Sequence, residues 1–168
     1  NGNITKLSTP SGDSIAYDYT GNLLTRLRVI DKAGVVTTRT SYTYDSRNRL
    51  SQVVVDLSPQ DNATTDGKTY KTTYTYVGDS NRIATLTQSD GTKLSIDYVQ
   101  VGAEFKVASV TDALGQVSLF TYNTSTRTTQ VTDAAGKVYS YVYDSLGQLT
   151  SIAQPGLSGN ADVAVPLL

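Results

Sequence analysis

Val110-Thr111-Asp112-Ala113-Leu114-Gly115-Gln116-Val117 returns 21 residues later as Val131-Thr132-Asp133-Ala134-Ala135-Gly136-Lys137-Val138. The correspondence continues beyond this segment, because Tyr122 and Tyr143 are separated by the same offset. A short fixed period is typical of arrays in which each repeat is one supersecondary unit that cannot bury its apolar face alone. The sequence therefore predicts a repeat protein.

A second recurring element has the form Tyr-Asp-x-x-Gly/Asn-x-Leu. It begins at Tyr17, Tyr44 and Tyr143, and weaker copies begin at Tyr76, Tyr98 and Tyr122. In order along the chain these six tyrosines are 27, 32, 22, 24 and 21 residues apart. Such regularity indicates that one structural unit is repeated along most of the chain.

The spacing Asp-x-x-Gly predicts a type I turn followed by a left-handed residue, which is a common hairpin connection. Aspartate accepts local backbone hydrogen bonds, and glycine or asparagine takes the left-handed position. The predicted turns are Asp18–Gly21, Asp31–Gly34, Asp45–Asn48, Asp112–Gly115, Asp133–Gly136 and Asp144–Gly147, with positive φ at each last residue. Asp66-Gly67 and Asp90-Gly91 are typical of shorter, two-residue turns.

Between the turns, Thr, Val and Tyr alternate with period two, which favours strands. We predict an all-β fold of tandem antiparallel β-hairpins in one long curved sheet. Twelve strands are expected, at 14–19, 22–30, 35–44, 50–57, 69–77, 82–88, 92–99, 105–111, 116–122, 126–132, 137–143 and 148–153. The array is expected over 1–156, with a loop insertion at 58–66, and 157–168 matches no repeat, which is typical of a disordered tail.

The composition excludes several classes of function. The chain contains no His, Cys, Met or Trp, so zinc sites with Cys or His ligands, cysteine nucleophiles and histidine triads are impossible within it. Fourteen basic and fifteen acidic residues are spread along the chain, and no basic stripe favours nucleic acid. No apolar run is long enough for a membrane span. The polar start at Asn1 indicates a piece of a longer protein, and we expect no enzymatic activity, cofactor or metal site.

Together, the Tyr-Asp-x-x-Gly-x-Leu and Asp-x-x-Gly motifs and the Tyr-x-Tyr pairs resemble the Rhs/YD-repeat family, which includes bacterial Rhs toxins, insecticidal toxin complex shells, wall-associated proteins and teneurins. The resemblance covers about 12–156 and is strongest at 110–154. It implies a β-strip that spirals into a hollow shell, with this chain as a section of wall beside neighbouring repeats and an enclosed toxin domain. It also implies a bacterial protein that is secreted or held at the cell surface.

Two departures from the family pattern limit what the resemblance implies. The copies at Tyr76, Tyr98 and Tyr122 lack an aspartate directly after the tyrosine. The family's C-terminal plug, with its Asp-Pro-x-Gly signature and self-cleaving aspartates, is also absent from this sequence. Autoproteolysis and toxin activity are therefore not assigned to this chain.

The tyrosines and aspartates each allow two interpretations. Tyrosine rows could stack on sugar rings, in a glycan- or protein-binding adhesion module, or pack between strands as structural residues. The even spacing favours packing, with Tyr44, Tyr76, Tyr122 and Tyr143 largely buried. The aspartates could bind calcium, but one carboxylate per turn favours a structural turn.

Overall fold

The computed structural model describes residues 2–61, 63 and 65–154, together with the backbone of 163–166. Its strands are β1 (Lys6–Ser8), β2 (Ser14–Thr20), β3 (Leu23–Ile30), β4 (Val36–Tyr44), β5 (Leu50–Asp56), β6 (Thr69–Tyr76), β7 (Ile83–Gln88), β8 (Lys93–Val101), β9 (Glu104–Thr111), β10 (Val117–Asn123), β11 (Thr128–Thr132), β12 (Val138–Tyr143), β13 (Leu149–Gln154) and β14 (Val163–Pro166). The one helical segment among these residues is a 3-10 turn at Pro59–Asp61. The predicted all-β fold class is confirmed.

The chain divides into two units, unit 1 at Asn1–Lys93 and unit 2 at Leu94–Leu168. In unit 1, β1 to β7 pair in chain order, and every pair is antiparallel. In unit 2, β8 to β14 do the same. Within each unit, each strand therefore hydrogen-bonds with its neighbours in sequence, as tandem hairpins require.

Each sheet has two unlike faces, because successive side chains of a strand point to opposite sides. In β6, Tyr70, Thr72, Tyr74 and Tyr76 are half-buried, whereas the residues that alternate with them, Lys71, Thr73 and Thr75, are exposed. We call the half-buried side the tyrosine face. In unit 1 it also carries Tyr42, Tyr44, Val53 and Val55, and in unit 2 it carries Phe120, Tyr122, Val131, Tyr139, Tyr141 and Tyr143. The other side is the polar face.

Neither unit buries a hydrophobic core within the residues that the structure describes. The buried residues there are Ser14, Arg39, Asp56 and Pro59, of which the first three are polar or charged. Globular domains bury apolar faces by packing one layer on another, and each unit consists of a single sheet. The prediction of largely buried tyrosines is therefore wrong in degree, because Tyr44, Tyr76, Tyr122 and Tyr143 are half-buried.

The twelve predicted strands correspond to β2–β13, with bounds that agree to within two residues. Strand β1 was not predicted, because it has three residues and its turn uses Thr9 in place of aspartate: Gly12 N–H donates to Thr9 O at 3.1 Å. In the predicted tail 157–168, Val163–Pro166 pairs with β13 as β14. Residues 157–162 and 167–168 lie outside the described residues.

Candidate functional site

Five of the predicted Asp-x-x-Gly turns share one hydrogen-bond pattern. At Asp31, the carboxylate Oδ1 accepts the backbone N–H of Ala33 at 2.9 Å and that of Val35 at 2.8 Å. The backbone N–H of Gly34 closes the turn onto the Asp31 carbonyl at 2.9 Å. The same three bonds occur at Asp45, Asp112, Asp133 and Asp144. One oxygen of each carboxylate is thus used to satisfy two backbone donors.

The last residue of each of these turns has the left-handed backbone that the pattern predicts. The φ angles are 84° at Gly34, 61° at Asn48, 78° at Gly115 and Gly136, and 80° at Gly147. A β-carbon added at Gly136 would meet nothing within 4 Å. Glycine is therefore favoured there by the backbone conformation and not by lack of space.

The predicted turn Asp18–Gly21 is wrong. Asp18 lies inside β2, and the pair Thr20 and Leu23 closes a two-residue turn at Gly21-Asn22. Gly21 still has a positive φ of 59°, but the hairpin is tighter than Asp-x-x-Gly would make it. The Asp18 carboxylate instead accepts hydrogen bonds from Nη2 of Arg28 at 2.9 and 3.1 Å.

The two shorter turns also differ from their prediction. Asp90-Gly91 completes a turn of the common type in which Gln88 takes the first place, since Gly91 N–H donates to Gln88 O at 3.0 Å. Asp66-Gly67 lies in the loop after β5, which closes between Leu57 N–H and Lys68 O at 2.9 Å. Within the predicted insertion 58–66, Asn62 and Thr64 lie outside the described residues.

A tyrosine hydroxyl joins each of several hairpins to the one before it. Tyr44 Oη donates to the Leu24 carbonyl at 2.8 Å, and Tyr76 Oη donates to the Leu50 carbonyl at 2.7 Å. In unit 2, Tyr122 Oη donates to the Val107 carbonyl at 2.7 Å. These hydroxyls are therefore used for bonding within the array.

The residues whose carbonyls accept these hydroxyls show which tyrosines occupy equivalent positions in successive repeats. Leu24 is paired with Tyr19, Leu50 with Tyr44, and Val107 with Tyr98, each next to a register shift. Tyr143 has the same relation to Leu149. The first repeat tyrosine is thus Tyr19, and the assignment of Tyr17 is wrong: Tyr17 pairs with Leu27 in unbroken register.

Partial burial affects the acidity of two of these hydroxyls. Desolvation raises the pKa of Tyr44, and the nearby Tyr42 adds to the effect. Desolvation likewise raises the pKa of Tyr122, with a smaller contribution from Tyr143. Both shifts favour the neutral phenol, which is the form that donates to a carbonyl.

An arginine supports the Asp45 turn in a way that the sequence motif does not reveal. Arg49 Nε donates to the second oxygen of Asp45 at 2.8 Å, and its guanidinium carbon lies 4.4 Å from the centre of the Tyr76 ring. Arg49 Nη1 donates to the Gly78 carbonyl at 2.9 Å. One side chain therefore connects a turn of one hairpin with the tyrosine and turn of the next.

The buried ion pair of unit 1 was also missed by sequence reasoning. Arg39 Nη1 lies 3.2 Å from Asp56 Oδ2, and both side chains are about 95 % buried (5 % and 6 % exposed). The same guanidinium reaches the carbonyls of Ala63 at 3.4 Å and Pro59 at 3.5 Å. Arg39 and Asp56 lie on the polar face, so the insertion after β5 is anchored to that face.

The described residues offer neither a metal cluster nor a membrane-spanning helix. No group of three or more acidic side chains there is arranged to hold a metal ion. No helix in the same part of the chain is long and apolar enough to cross a membrane.

The repeat region of unit 2 matches a known protein family. The model of the family described as RHS Repeat matches residues 106–136 and again 122–156. Both matches fall on the hairpins in which the Asp112, Asp133 and Asp144 turns and the tyrosines at 122 and 143 recur. None of the curated proteins compared with the chain matches it.

Proposed function

Because the chain belongs to the Rhs/YD-repeat family through these repeats, we propose that it is a wall segment of an Rhs-type shell. The array itself is a structural repeat module. In this proposal the wall encloses or displays a toxin or surface domain encoded elsewhere in the parent protein. The parent is secreted or held at a bacterial cell surface, and the wall segment has no catalytic part in its activity.

The observation that carries the proposal is the hydrogen bonding and partial burial of the repeat tyrosines. Their hydroxyls donate to backbone carbonyls of the preceding hairpin, and their rings are half-buried on one face. Side chains held in this way stiffen a sheet. An adhesion surface made of tyrosine rows would instead need rings that project freely toward a glycan.

The pairing order gives further support. When every strand pairs with its neighbours in sequence, added hairpins extend the sheet without changing the hairpins already present. The sheets of both units also leave their apolar tyrosine face without a second layer in the described residues. A face of this kind is suited to the inner side of a wall that other parts of the parent protein cover.

The shell role is tested in the parent protein by limited proteolysis. We expect its non-repeat domain to resist protease while the array is intact. Tyr76→Ala together with Tyr143→Ala should weaken the wall and expose that domain to cleavage. If the domain is cut at the same rate with and without these substitutions, enclosure is refuted and display of the domain is favoured.

A further inference from the structure

The tyrosine face of unit 1 extends over six strands, β2 to β7, and no hydrophobic residue among those that the structure describes there is buried. One row of paired residues crosses five of these strands on this face: Tyr17, Leu27, Thr40, Val55 and Tyr70. Proteins bury the apolar face of a sheet against a second layer. The described part of unit 1 supplies no such layer, so the covering layer comes from outside unit 1.

The charged side chains of these strands lie on the other side of the sheet. Every charged residue within β2–β7 belongs to the polar face: Asp18, Arg26, Arg28, Arg39, Asp56 and Lys71. A charged surface laid on the tyrosine face would therefore be buried without an opposite charge in the strands. Burial of an unpaired charge is costly. The face thus favours a partner surface that is itself uncharged.

Two tyrosine hydroxyls on this face need no partner outside the sheet. Tyr44 Oη donates to the Leu24 carbonyl at 2.8 Å, and Tyr76 Oη donates to the Leu50 carbonyl at 2.7 Å. A donor that is buried without an acceptor costs free energy, but these two donors keep their acceptors when a second layer is added. A second layer can therefore cover both tyrosines without loss of these hydrogen bonds.

The size of the face matches what a stable pair of sheets requires. Six strands at a spacing of about 4.8 Å, with about seven residues each at about 3.3 Å per residue, give a face of roughly 24 by 23 Å. Two such faces in contact bury roughly 1,100 Å² even when they are treated as flat planes, and a specific protein interface starts at about 1,000 Å². One further sheet of the same size is therefore sufficient as the covering layer.

We propose that a second copy of this chain covers the tyrosine face of unit 1, with the two identical faces packed against each other about a two-fold axis. The second copy supplies both the uncharged surface that the face favours and the matching area. Aligned sheets pack about 10 Å apart with strand directions within about 30° of each other. The pairing goes beyond the shell role and is independent of whether the parent protein encloses a domain.

Sedimentation velocity of the full chain tests the proposal. An interface near the lower size limit is typical of weak complexes, so we expect a dimer with a dissociation constant on the order of 10 µM. Protein concentrations from about 1 to about 200 µM span the transition from monomer to dimer at that affinity. The mass at the highest concentration should approach twice that of the chain.

Thr72→Lys and Thr73→Lys are the matched variants, because they place the same charge at adjacent residues of β6. Thr72 is half-buried on the tyrosine face, whereas Thr73 is exposed on the polar face. In the two-fold pair Thr72→Lys brings two like charges into the interface, so the affinity of the dimer should fall at least about tenfold. Thr73→Lys should dimerise as the parent does. Circular dichroism shows whether each variant keeps its β structure.

Single cysteines keep the test decisive if Thr72→Lys does not fold. The chain contains no Cys, so Thr72→Cys and Thr73→Cys each carry one thiol and change the side chain little. We expect iodoacetamide to alkylate the thiol of Thr72→Cys more slowly at high protein concentration than at low concentration, because the dimer covers it. The alkylation rate of Thr73→Cys should not depend on protein concentration.

Four results would each overturn the proposal. The first two are a chain that stays monomeric at every concentration and a folded Thr72→Lys variant that dimerises as tightly as Thr73→Lys. The third is a dimer in which neither thiol is protected, since the copies would then be joined through the edges of their sheets. The fourth is protection of the Thr73→Cys thiol alone, which would put the second copy on the polar face.

Discussion

Units 1 and 2 are built from the same kind of hairpin, but different side-chain interactions stabilise the hairpins within each unit. Among its described residues unit 1 forms several ion pairs, including the buried pair of Arg39 with Asp56 and the Arg49–Asp45 pair beside Tyr76. Among its own described residues unit 2 forms none, and its hairpins rely on strand ladders, aspartate turns and the Tyr122 hydroxyl bond. Unit 2 is also the part that matches the family.

The difference shows where the repeat pattern needs support. Two ion pairs of unit 1 lie where a hairpin departs from the pattern: Arg28 with Asp18 beside the two-residue turn, and Arg39 with Asp56 under the insertion. Where the pattern is regular, as at Asp112 and Asp133, local hydrogen bonds are sufficient. These two ion pairs therefore stabilise exceptions to the repeat, whereas the Arg49–Asp45 pair supports a regular turn.

The largest expected effect is on the buried pair. Arg39→Met leaves the Asp56 carboxylate buried without its partner, which typically costs about 3–5 kcal/mol of unfolding free energy. Urea denaturation measures the loss. The matched control is Lys137→Met in unit 2, an exposed cation without an ion pair, which we expect to change stability by less than about 0.5 kcal/mol.

The double variant Arg39→Met with Asp56→Leu distinguishes two explanations of the stability that Arg39→Met loses. If the cost comes from an unpaired buried charge, removing both charges should recover much of the lost stability. A double variant as unstable as the sum of the two single variants would show that the pair anchors the insertion through its individual hydrogen bonds. In that case the distinction between the units would rest on the insertion and not on burial of charge.

The next largest expected effect is the loss of stability on removing a tyrosine hydroxyl, and it should be equal in both units. Tyr76→Phe and Tyr122→Phe each remove one hydroxyl that donates to a carbonyl of the preceding hairpin, which typically costs about 1 kcal/mol. Tyr70→Phe is the control, because the Tyr70 hydroxyl forms no hydrogen bond within the described residues. Thermal melts of the three variants measure the differences in stability. If all three variants are equally stable, the tyrosine hydroxyls do not stabilise the hairpins of either unit.

An effect of similar size is expected at the turns. Gly136→Val places a β-branched residue at a φ of 78° and should cost at least about 1 kcal/mol. Asn48→Gly, at the same turn position in unit 1, should be neutral or slightly stabilising, since glycine accepts positive φ more readily. Chemical denaturation of both variants compares the turns directly. A destabilised Asn48→Gly would indicate that the Asn48 side chain contributes more than its backbone conformation.

Local features of the fold could be predicted from the sequence, and longer-range ones could not. An aspartate turn is specified within five residues, so Asp31, Asp112 and Asp133 were placed correctly. Tyr17-Asp18-Tyr19 contains two candidate tyrosines, and the motif alone favoured the wrong one, because the short turn at Gly21-Asn22 shifts the register. The signal that could have corrected it is the Gly-Asn dipeptide, which is typical of two-residue hairpins.

The side-chain clusters were missed for a different reason. Arg39 and Asp56 are seventeen residues apart and meet because β4 and β5 pair in one particular register. Arg49 likewise reaches the Tyr76 ring of the next hairpin, which lies far from it along the sequence. Such clusters depend on how strands align, and composition and period do not determine that alignment.

The smallest expected effect is a pH dependence of stability that differs between the turns of the two units. Hydrogen bonds from the backbone of Arg49, and then from its side chain and from Arg47, hold the pKa of Asp45 below its usual value, although partial desolvation opposes them. A lowered pKa in the folded state contributes stability that is complete above the unfolded pKa of about 3.9 and is lost as pH falls through the folded pKa. Acid should therefore weaken the Asp45 turn.

Asp45→Asn keeps an oxygen that can accept the backbone N–H groups of Arg47 and Arg49, and it removes the charge that pairs with the Arg49 guanidinium. We expect the variant to melt below the parent at pH 6, and the difference should shrink as the pH is lowered through the carboxylate range, because the parent loses the same charge by protonation. Melting curves between pH 6 and pH 2 measure this convergence. Asp133→Asn is the matched substitution in unit 2, where the turn carboxylate has no arginine partner among the described residues, so its effect on melting at pH 6 should be smaller. If Asp133→Asn lowers the melting temperature as much as Asp45→Asn does, the arginine adds nothing to the turn. The ion pairs of unit 1 would then be incidental to its stability, with the buried pair as the remaining exception.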